Sequence, residues 1–135
     1  MKLLNVERDA ETIIDYKLKN LAWDDYPYSG KRTVWKQSVK TDEQKKKLGG
    51  KRPDYVLYPK DSNFPIAVIE VKKRGANIHE ALNQGLDYAQ KLDAPLVFAT
   101  DGVFTKTLHL KVNKPLILNH EEVDDLVRET LALQF

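Results

Sequence analysis

The stretch from residue 54 to residue 100 constrains the fold most, because it alternates strand-like and helix-like patterns. Two runs, DYVLY at 54–58 and IAVIEVK at 66–72, are rich in β-branched and aromatic residues, and Pro, Asp, Ser and Asn lie between them. Apolar residues then recur at helical spacing over 78–92, and PLVFAT at 95–100 is a short apolar run. We therefore predict an antiparallel hairpin, then a helix that crosses over to a parallel, buried strand.

The segments before the hairpin are predicted to be a helix, a strand and a loop. Residues 7–22 carry one apolar stripe, formed by Ala10, Ile13, Ile14, Leu18 and Leu21, which predicts the helix. TVWKQSV at 33–39 alternates in the manner of a strand. Residues 40–52 contain six Lys or Arg, a Gly-Gly pair and almost no apolar residue, so we predict a solvated, mobile loop.

After the parallel strand, FTKTLHL at 104–110 and KPLIL at 114–118 indicate peripheral strands, and Asn119 is predicted to cap a closing helix over 120–131. The chain of 135 residues is 41% apolar, which favours one domain with one core, spanning residues 1–135. It has no cysteine and no apolar run near the roughly 18 residues of a membrane helix. We therefore expect a soluble, cytoplasmic α/β protein with no membrane partner.

Three charged side chains are expected to meet at the end of the hairpin. If the hairpin is symmetric about Ser62, Asp54 lies opposite Glu70. Glu70 and Lys72 are two residues apart on one strand and therefore share a face. Burying two facing carboxylates is unfavourable unless one is protonated, and a divalent cation removes the conflict. Their oxygens, with the carbonyl of Val71 between them, suit Mg²⁺ or Mn²⁺.

These residues leave two interpretations open. With a metal, Lys72 would orient or help deprotonate an attacking water, which supports metal-assisted phosphodiester hydrolysis. Without one, Asp54, Glu70 and Lys72 would form a structural salt-bridge triad, since ion pairs at strand ends are common. The three histidines lack ligand spacing, and the chain has no Ser-His-acid arrangement and no Gly-rich phosphate loop. A hydrolase triad is therefore not supported, and this chain cannot be an ATP motor.

A motif in the hairpin resembles a known family. Pro53-Asp54 followed by Glu70-Val71-Lys72 is similar to the signature of the PD-(D/E)XK nucleases. Gln84 and Tyr88, one helical turn apart, resemble the Gln-x-x-x-Tyr motif of the RecB-like branch. The wider sequence, KRPDYVLYPKDSNFPIAVIEVKK through PLVFATDG, resembles the N-terminal nuclease domain of the R subunit of type I restriction enzymes. The resemblance extends over roughly residues 7 to 102.

The resemblance implies a restriction-endonuclease-like core, that is, an α/β fold with a central mixed sheet flanked by helices. It implies that Asp54 and Glu70 bind Mg²⁺, for which Mn²⁺ would substitute, and that Lys72 is catalytic. It also implies that Gln84 and Tyr88 position the DNA backbone near the cut.

The family has a further metal-binding glutamate on its first helix. In this sequence Glu7 falls almost inside the apolar stripe and Glu11 lies at its edge, so Glu7, or Glu11 in its place, is expected to reach the metal. Ala22-Trp23 stands where the family often has Gly-Trp, which puts the end of this helix in question.

The activity implied is Mg²⁺-dependent cleavage of double-stranded DNA without sequence specificity of its own, since sequence choice in type I systems belongs to another subunit. The implied partners are double-stranded DNA and the modification and specificity subunits. ATP would act only through a motor domain absent from this chain, which would be an N-terminal domain of a longer subunit or a stand-alone relative. The basic residues at 45–52 are candidates for phosphate contacts.

Two alternatives to this function stay open. One is a nuclease of the same fold that acts on structured DNA in repair or junction resolution. The other is a catalytically silent DNA-binding or assembly module, against which the intact Asp54, Glu70 and Lys72 count.

Overall fold

The computed structural model, which describes residues 7–123, 125 and 126, contains a five-stranded mixed sheet with helices packed against it. The helices are α1 (Glu7–Asn20), α2 (Asp42–Leu48) and α3 (Ile78–Leu92), and the strands are β1 (Val34–Lys36), β2 (Tyr55–Leu57), β3 (Ala67–Val71), β4 (Leu96–Thr100), β5 (Thr105–His109), β6 (Ile117–Leu118) and β7 (Glu121–Glu122). The sheet order is β1-β2-β3-β4-β5. Strands β3 and β4 are parallel, and the other neighbouring pairs are antiparallel. None of the described helices is long and apolar enough to cross a membrane.

The sheet separates two apolar layers, because alternate residues of a strand point to opposite faces. Ile69 and Val71 of β3 belong to the layer that contains Ile14 of α1. Val68, the residue before Ile69 along the strand, belongs to the layer that contains Ala89 of α3. Every residue of β3 and β4 is buried, as is typical of central strands covered on both faces. The fold thus places α1 and α3 on opposite faces of the strand that carries the nuclease-like motif.

The hairpin has the register predicted from its symmetry. Tyr55 pairs with Ile69, and the residue numbers of each β2–β3 pair sum to 124. Continued by one residue, this register brings Asp54 opposite Glu70. The predicted hairpin, crossover helix and parallel strand are therefore confirmed.

The first helix ends at Asn20, two residues before the predicted end. The backbone N–H of Trp23 donates to Leu18 O at 2.9 Å, and that of Ala22 donates to Lys19 O at 3.1 Å. This pair of hydrogen bonds defines a Schellman motif, in which the residue after the helix cap is usually glycine. Ala22 occupies that position with φ 70°, so the alanine takes up the left-handed conformation that suits glycine at the same place.

The prediction of a loop over residues 40–52 is wrong, because α2 forms there. The Thr41 hydroxyl accepts a hydrogen bond from the Gln44 N–H at 3.2 Å, which caps the helix start. Acidic residues lie in the first turn and lysines in the last, and Gly49 ends the helix with φ 61°. Gln44 and Leu48 are buried. Good caps and two anchoring side chains are enough to form a helix with little apolar surface.

The predicted closing helix is wrong at its start. Glu121–Glu122 forms β7, which pairs with β6, and Asn119 and His120 between them have φ 52° and 68°. Positive φ at both central residues is typical of a two-residue β-hairpin turn. Much of the remainder of the predicted helix falls on residues 124 and 127–131, which lie outside the described residues.

Candidate active site

Asp54 and Glu70 are held together by hydrogen bonds between the two strands. The backbone N–H of Asp54 donates to Glu70 Oε2 at 2.8 Å. The backbone N–H of Val71 donates to Asp54 Oδ2 at 2.7 Å. Hydrogen bonds from backbone amides to a carboxylate are strong and favour its ionised form. The hairpin therefore fixes both carboxylates at one end of β3.

The Glu70 side chain lies under α3. It is buried, with 3% of its surface exposed, whereas Asp54 is half-buried. A Cβ added at Gly85 of α3 would lie 3.3 Å from Glu70 Cγ and 2.7 Å from Val97 Cγ1. Glycine at this position thus lets the helix approach the sheet closely enough to cover Glu70.

Lys72 directly follows β3 and is still held by the sheet. Its backbone N–H donates to Thr100 O of β4 at 2.9 Å. Strand alternation places Lys72 on the same face as Glu70 and Val68, and its side chain is half-buried. The backbone therefore brings the predicted lysine to the face and the end of the sheet where the acids lie.

Gln84 and Tyr88 contact each other on α3. The Gln84 side-chain amide donates to the Tyr88 hydroxyl at 2.9 Å. Gln84 is exposed, whereas Tyr88 is 4% exposed and packs in the core on this face. Gln84 precedes Gly85, the residue of α3 that faces the Glu70 side chain. The pair thus lies on the helix that covers the acidic site.

The first turns of α1 lie at the same end of the sheet. A Cβ built on Gly102, just after β4, would be 3.4 Å from Ala10 Cα, so α1 passes the carboxyl end of that strand. The Glu7 side chain lies outside the described residues. Glu11 is half-buried, and its carbonyl oxygen is 3.1 Å from the Tyr55 hydroxyl. The choice between Glu7 and Glu11 as a metal ligand stays a prediction.

The donor atoms at the hairpin end fit a hard divalent cation. A carboxylate oxygen has two lone pairs, so an oxygen that accepts an amide hydrogen bond can also coordinate a metal. Mg²⁺ keeps several waters and is commonly bound through one or two carboxylates. Among the described residues, no three acidic, histidine or cysteine side chains are grouped so that they could hold a metal. The oxygen donors predicted from the sequence are the carboxylates of Asp54 and Glu70 and the carbonyl of Val71, and the structure places the two acids at the same end of the hairpin.

Gln37 contacts Asp54, and no pattern in the sequence predicts this contact. Its side-chain amide donates to Asp54 Oδ1 at 2.9 Å, and its backbone N–H donates to Asp54 O at 3.2 Å. Gln37 has φ 54°, which ends β1 three residues before the predicted end. A non-glycine residue in this region is strained and is held there by its surroundings. The alternating pattern over 33–39 carries no sign of this turn.

Tyr55, next to Asp54, connects the sheet to α1. Its hydroxyl donates to Asp15 Oδ1 at 2.7 Å, and Lys36 Nζ lies 2.9 Å from Asp15 Oδ2. Burial, followed by the hydrogen bond to Asp15, raises the pKa of Tyr55 far above its ordinary value. The neutral hydroxyl therefore holds α1, with Glu11 on it, against the hairpin.

Comparison with known proteins identifies the family. Residues 33–114 match the family model described as the type I restriction enzyme R protein N terminus, which is more than half of the chain. The chain belongs to this family. The matched range includes Asp54, Glu70, Lys72, Gln84 and Tyr88, whereas the glutamates of α1 precede it.

One curated relative agrees with this assignment, and one solved structure shares the fold. The chain is 37% identical over 91 residues to the type I restriction enzyme EcoAI endonuclease subunit of Escherichia coli, and the match covers 62% of this chain and 10% of that protein. Its fold is similar to the fragment structure of a Vibrio vulnificus YJ016 protein described as an HsdR subunit of a type I restriction enzyme, with a TM-score of 0.66 and 19% identity. That match covers 95% of this chain and 24% of the other. The predicted restriction-endonuclease-like α/β fold is thereby confirmed.

Proposed function

We propose that residues 1–135 form a single nuclease domain, the N-terminal domain of a type I restriction R subunit, which cleaves double-stranded DNA with Mg²⁺ and without sequence specificity of its own. The observation that carries the proposal is the contact between Asp54 and Glu70, held by the backbones of β2 and β3 in a chain of this family. The coarser statement, that the chain is part of a restriction endonuclease family, rests on the comparisons.

Asp54 and Glu70 would hold the metal, with Glu7, or Glu11 in its place, as a further ligand. When bound, Mg²⁺ polarises the phosphodiester and lowers the pKa of the attacking water. The backbone amides of Asp54 and Val71 keep the two carboxylates oriented, so they need not rearrange as substrate enters.

Lys72 supplies a positive charge on the same face as the two acids. Its ammonium donates to a non-bridging phosphate oxygen or to the attacking water and offsets the negative charge on the phosphate oxygens in the transition state. Because its backbone is hydrogen-bonded to β4, the residue starts from a rigid position beside the acids. This is the catalytic role we assign to it.

Gln84 and Tyr88 position the DNA backbone. The buried tyrosine hydroxyl accepts one amide hydrogen of the exposed glutamine, which fixes the orientation of its amide group. The second amide hydrogen remains to donate to a phosphate oxygen. Contacts to phosphates position DNA but carry no sequence information, in keeping with nonspecific cleavage.

The remaining partners belong to the larger enzyme. The chain spans about a tenth of the length of its E. coli relative, so an ATP-driven motor and the contacts to modification and specificity subunits would lie in other parts of such an enzyme. Location in the cytoplasm, where DNA is accessible, belongs to the same proposal.

The metal assignment is tested by titrating Mn²⁺ into the wild-type chain and into Asp54→Asn, Glu70→Gln and Lys72→Ala variants. Loss of a carboxylate ligand is expected to weaken Mn²⁺ binding by about 100-fold or more, whereas Lys72→Ala retains it. Calorimetry measures the affinities without requiring cleavage by the isolated domain. Unchanged Mn²⁺ affinity in Asp54→Asn would overturn the assignment.

Cleavage is tested with Mg²⁺ on plain duplex, branched and single-stranded DNA. All three variants are expected to lose about 10²-fold or more of the wild-type rate on duplex DNA. Preference for branched DNA would instead favour the repair or junction-resolving alternative. Strong DNA binding with no metal binding would favour the silent module.

A further inference from the structure

A basic cleft of about 440 Å³ lies beside Asp54. We define it by its lining residues, which are 37–42, 45, 48 and 50–53. Pro53 at one end of this lining directly precedes Asp54, and Gln37 at the other end donates to Asp54 Oδ1. The basic cleft therefore adjoins the candidate active site.

The lining of the basic cleft is strongly cationic. It includes Lys40, Lys45, Lys51 and Arg52, against the single acid Asp42. Within the described part of the chain, Lys45, Lys51 and Arg52 have no acidic side chain within 4.0 Å. Lys47, which lies outside the lining, is by contrast 3.8 Å from Glu43 and 3.9 Å from Asp93. Three cations of the lining are thus available to a ligand.

These cations are carried by an ordered frame. The Tyr58 hydroxyl donates to Gln44 Oε1 at 2.6 Å, and the Gln44 amide donates to Asn63 O at 2.7 Å, which ties α2 to the hairpin. Burial raises the pKa of Tyr58 to about 12, so this hydroxyl is neutral at physiological pH. Gly50, with φ 90°, turns the chain from α2 back toward β2. The concave shape is therefore built into the fold.

We propose that the basic cleft binds backbone phosphates of the DNA strand, next to the phosphodiester held at Asp54. The proposal rests on the proposed nuclease function, which makes DNA the ligand. A concave, cationic surface with few neutralising acids fits a chain of phosphates, and each phosphate contact releases bound counterions. Because the cations touch phosphates and no base edges, this binding is independent of sequence.

The test measures binding of the 135-residue chain to a short duplex in EDTA, so that no cleavage occurs, over a series of NaCl concentrations. A Lys45→Ala, Lys51→Ala, Arg52→Ala variant is compared with wild type. Loss of three phosphate contacts is expected to reduce the slope of log affinity against log salt by about 2 to 3 and to weaken binding at low salt by at least about 10-fold. The loss should be equal for two unrelated DNA sequences.

The control is a Lys31→Ala, Lys46→Ala, Lys60→Ala variant, which removes the same charge from exposed positions outside the lining. Its salt slope is expected to change by less than about 1. Equal losses in the two variants, or no salt-dependent binding by the wild-type chain, would overturn the proposal. Thermal unfolding checks that both variants fold. If the Lys45→Ala, Lys51→Ala, Arg52→Ala variant does not fold, the salt slope of the single variant Lys51→Gln is measured instead, and it is expected to be lower by about 1.

Failure of this proposal differs from failure of the proposed function. If Asp54→Asn leaves Mn²⁺ binding intact but the cleft variant loses its salt slope, the nuclease assignment falls and the phosphate site stands. If Mn²⁺ binding depends on Asp54 but the two triple variants bind DNA alike, the phosphate site falls and the metal site stands.

Discussion

The acidic hairpin end, formed by Asp54 and Glu70, adjoins the basic cleft, yet the charges of the two regions are held in opposite ways. The carboxylate of Glu70 is buried and accepts a hydrogen bond from a backbone amide. The cations Lys51 and Arg52 are exposed and have no acidic partner within 4.0 Å in the described part of the chain. A buried charge needs hydrogen-bond partners within the fold because desolvation is costly. An exposed charge stays solvated by water and needs only a rigid backbone to keep its position. Substitutions in the basic cleft should therefore change DNA binding without changing Mn²⁺ binding, and substitutions at the acidic hairpin end should do the reverse.

The largest expected effect comes from loosening the frame of the basic cleft. Tyr58→Phe leaves the buried oxygen of Gln44 without its donor, which should lower the free energy of unfolding by about 1–3 kcal/mol. DNA affinity should fall with α2 displaced, while Mn²⁺ affinity stays unchanged. Urea unfolding and the two titrations measure these quantities. Tyr28→Phe, at an 88% exposed tyrosine, is the control.

Loss of Mn²⁺ affinity in Tyr58→Phe would contradict the independence of the two regions, because it would mean that a change in the frame of the basic cleft also alters the acidic hairpin end. Unchanged stability would show that the Gln44 hydrogen bond to Tyr58 contributes nothing.

A smaller effect is expected from crowding the acidic site. Gly85→Ala places a methyl group against Val97 and Glu70, and the overpacking exceeds the gain in helix propensity by about 1 kcal/mol. Mn²⁺ affinity should fall because Glu70 shifts, while the salt slope of DNA binding remains. Asn83→Ala, on the exposed side of the same helix, controls for helix propensity and should leave Mn²⁺ affinity intact. A more stable Gly85→Ala protein with full Mn²⁺ affinity would contradict the close approach of α3.

The smallest change in stability is expected at Gln37, which contacts Asp54 and also lines the basic cleft. Gln37→Gly and Gln37→Ala both remove the hydrogen bond to Asp54 Oδ1, and both should weaken Mn²⁺ binding by about 10-fold. Glycine relieves the positive φ, so the alanine variant should be less stable than the glycine variant by about 0.5–1 kcal/mol. Thermal unfolding and calorimetry separate the two effects. Different Mn²⁺ affinities in the two variants would mean that backbone strain, not the amide, orients Asp54.

Much of the central fold could be predicted from local pattern. The α3 bounds, the hairpin and its register followed from apolar spacing and turn residues. The α2 helix was missed because its segment is rich in lysine, has almost no apolar residue and ends in a Gly-Gly pair, a pattern that is also typical of a loop; its caps at Thr41 and Gly49 are evident only in the structure. The start of the closing helix was wrong because Asn119 occupies a hairpin turn instead of a helix cap.

In the candidate site too, the local features could be predicted from the sequence and the contacts between distant elements could not. That Asp54 faces Glu70 followed from counting residues on either side of Ser62, since strand pairing is periodic and local. The Gln37 amide on Asp54, the approach of Gly85 to Glu70 and the tie from Tyr58 to Gln44 join elements that are separated along the chain.

The sequence by itself determined which residues form each central strand and helix, and which acids meet across the hairpin, because those features depend on short-range periodicity and turn chemistry. Tertiary structure alone decided how Asp54 and Glu70 are oriented and how the basic residues are arranged around the adjoining cleft. Those contacts depend on the distances and angles at which packed elements cross, and no local pattern in the chain encodes them.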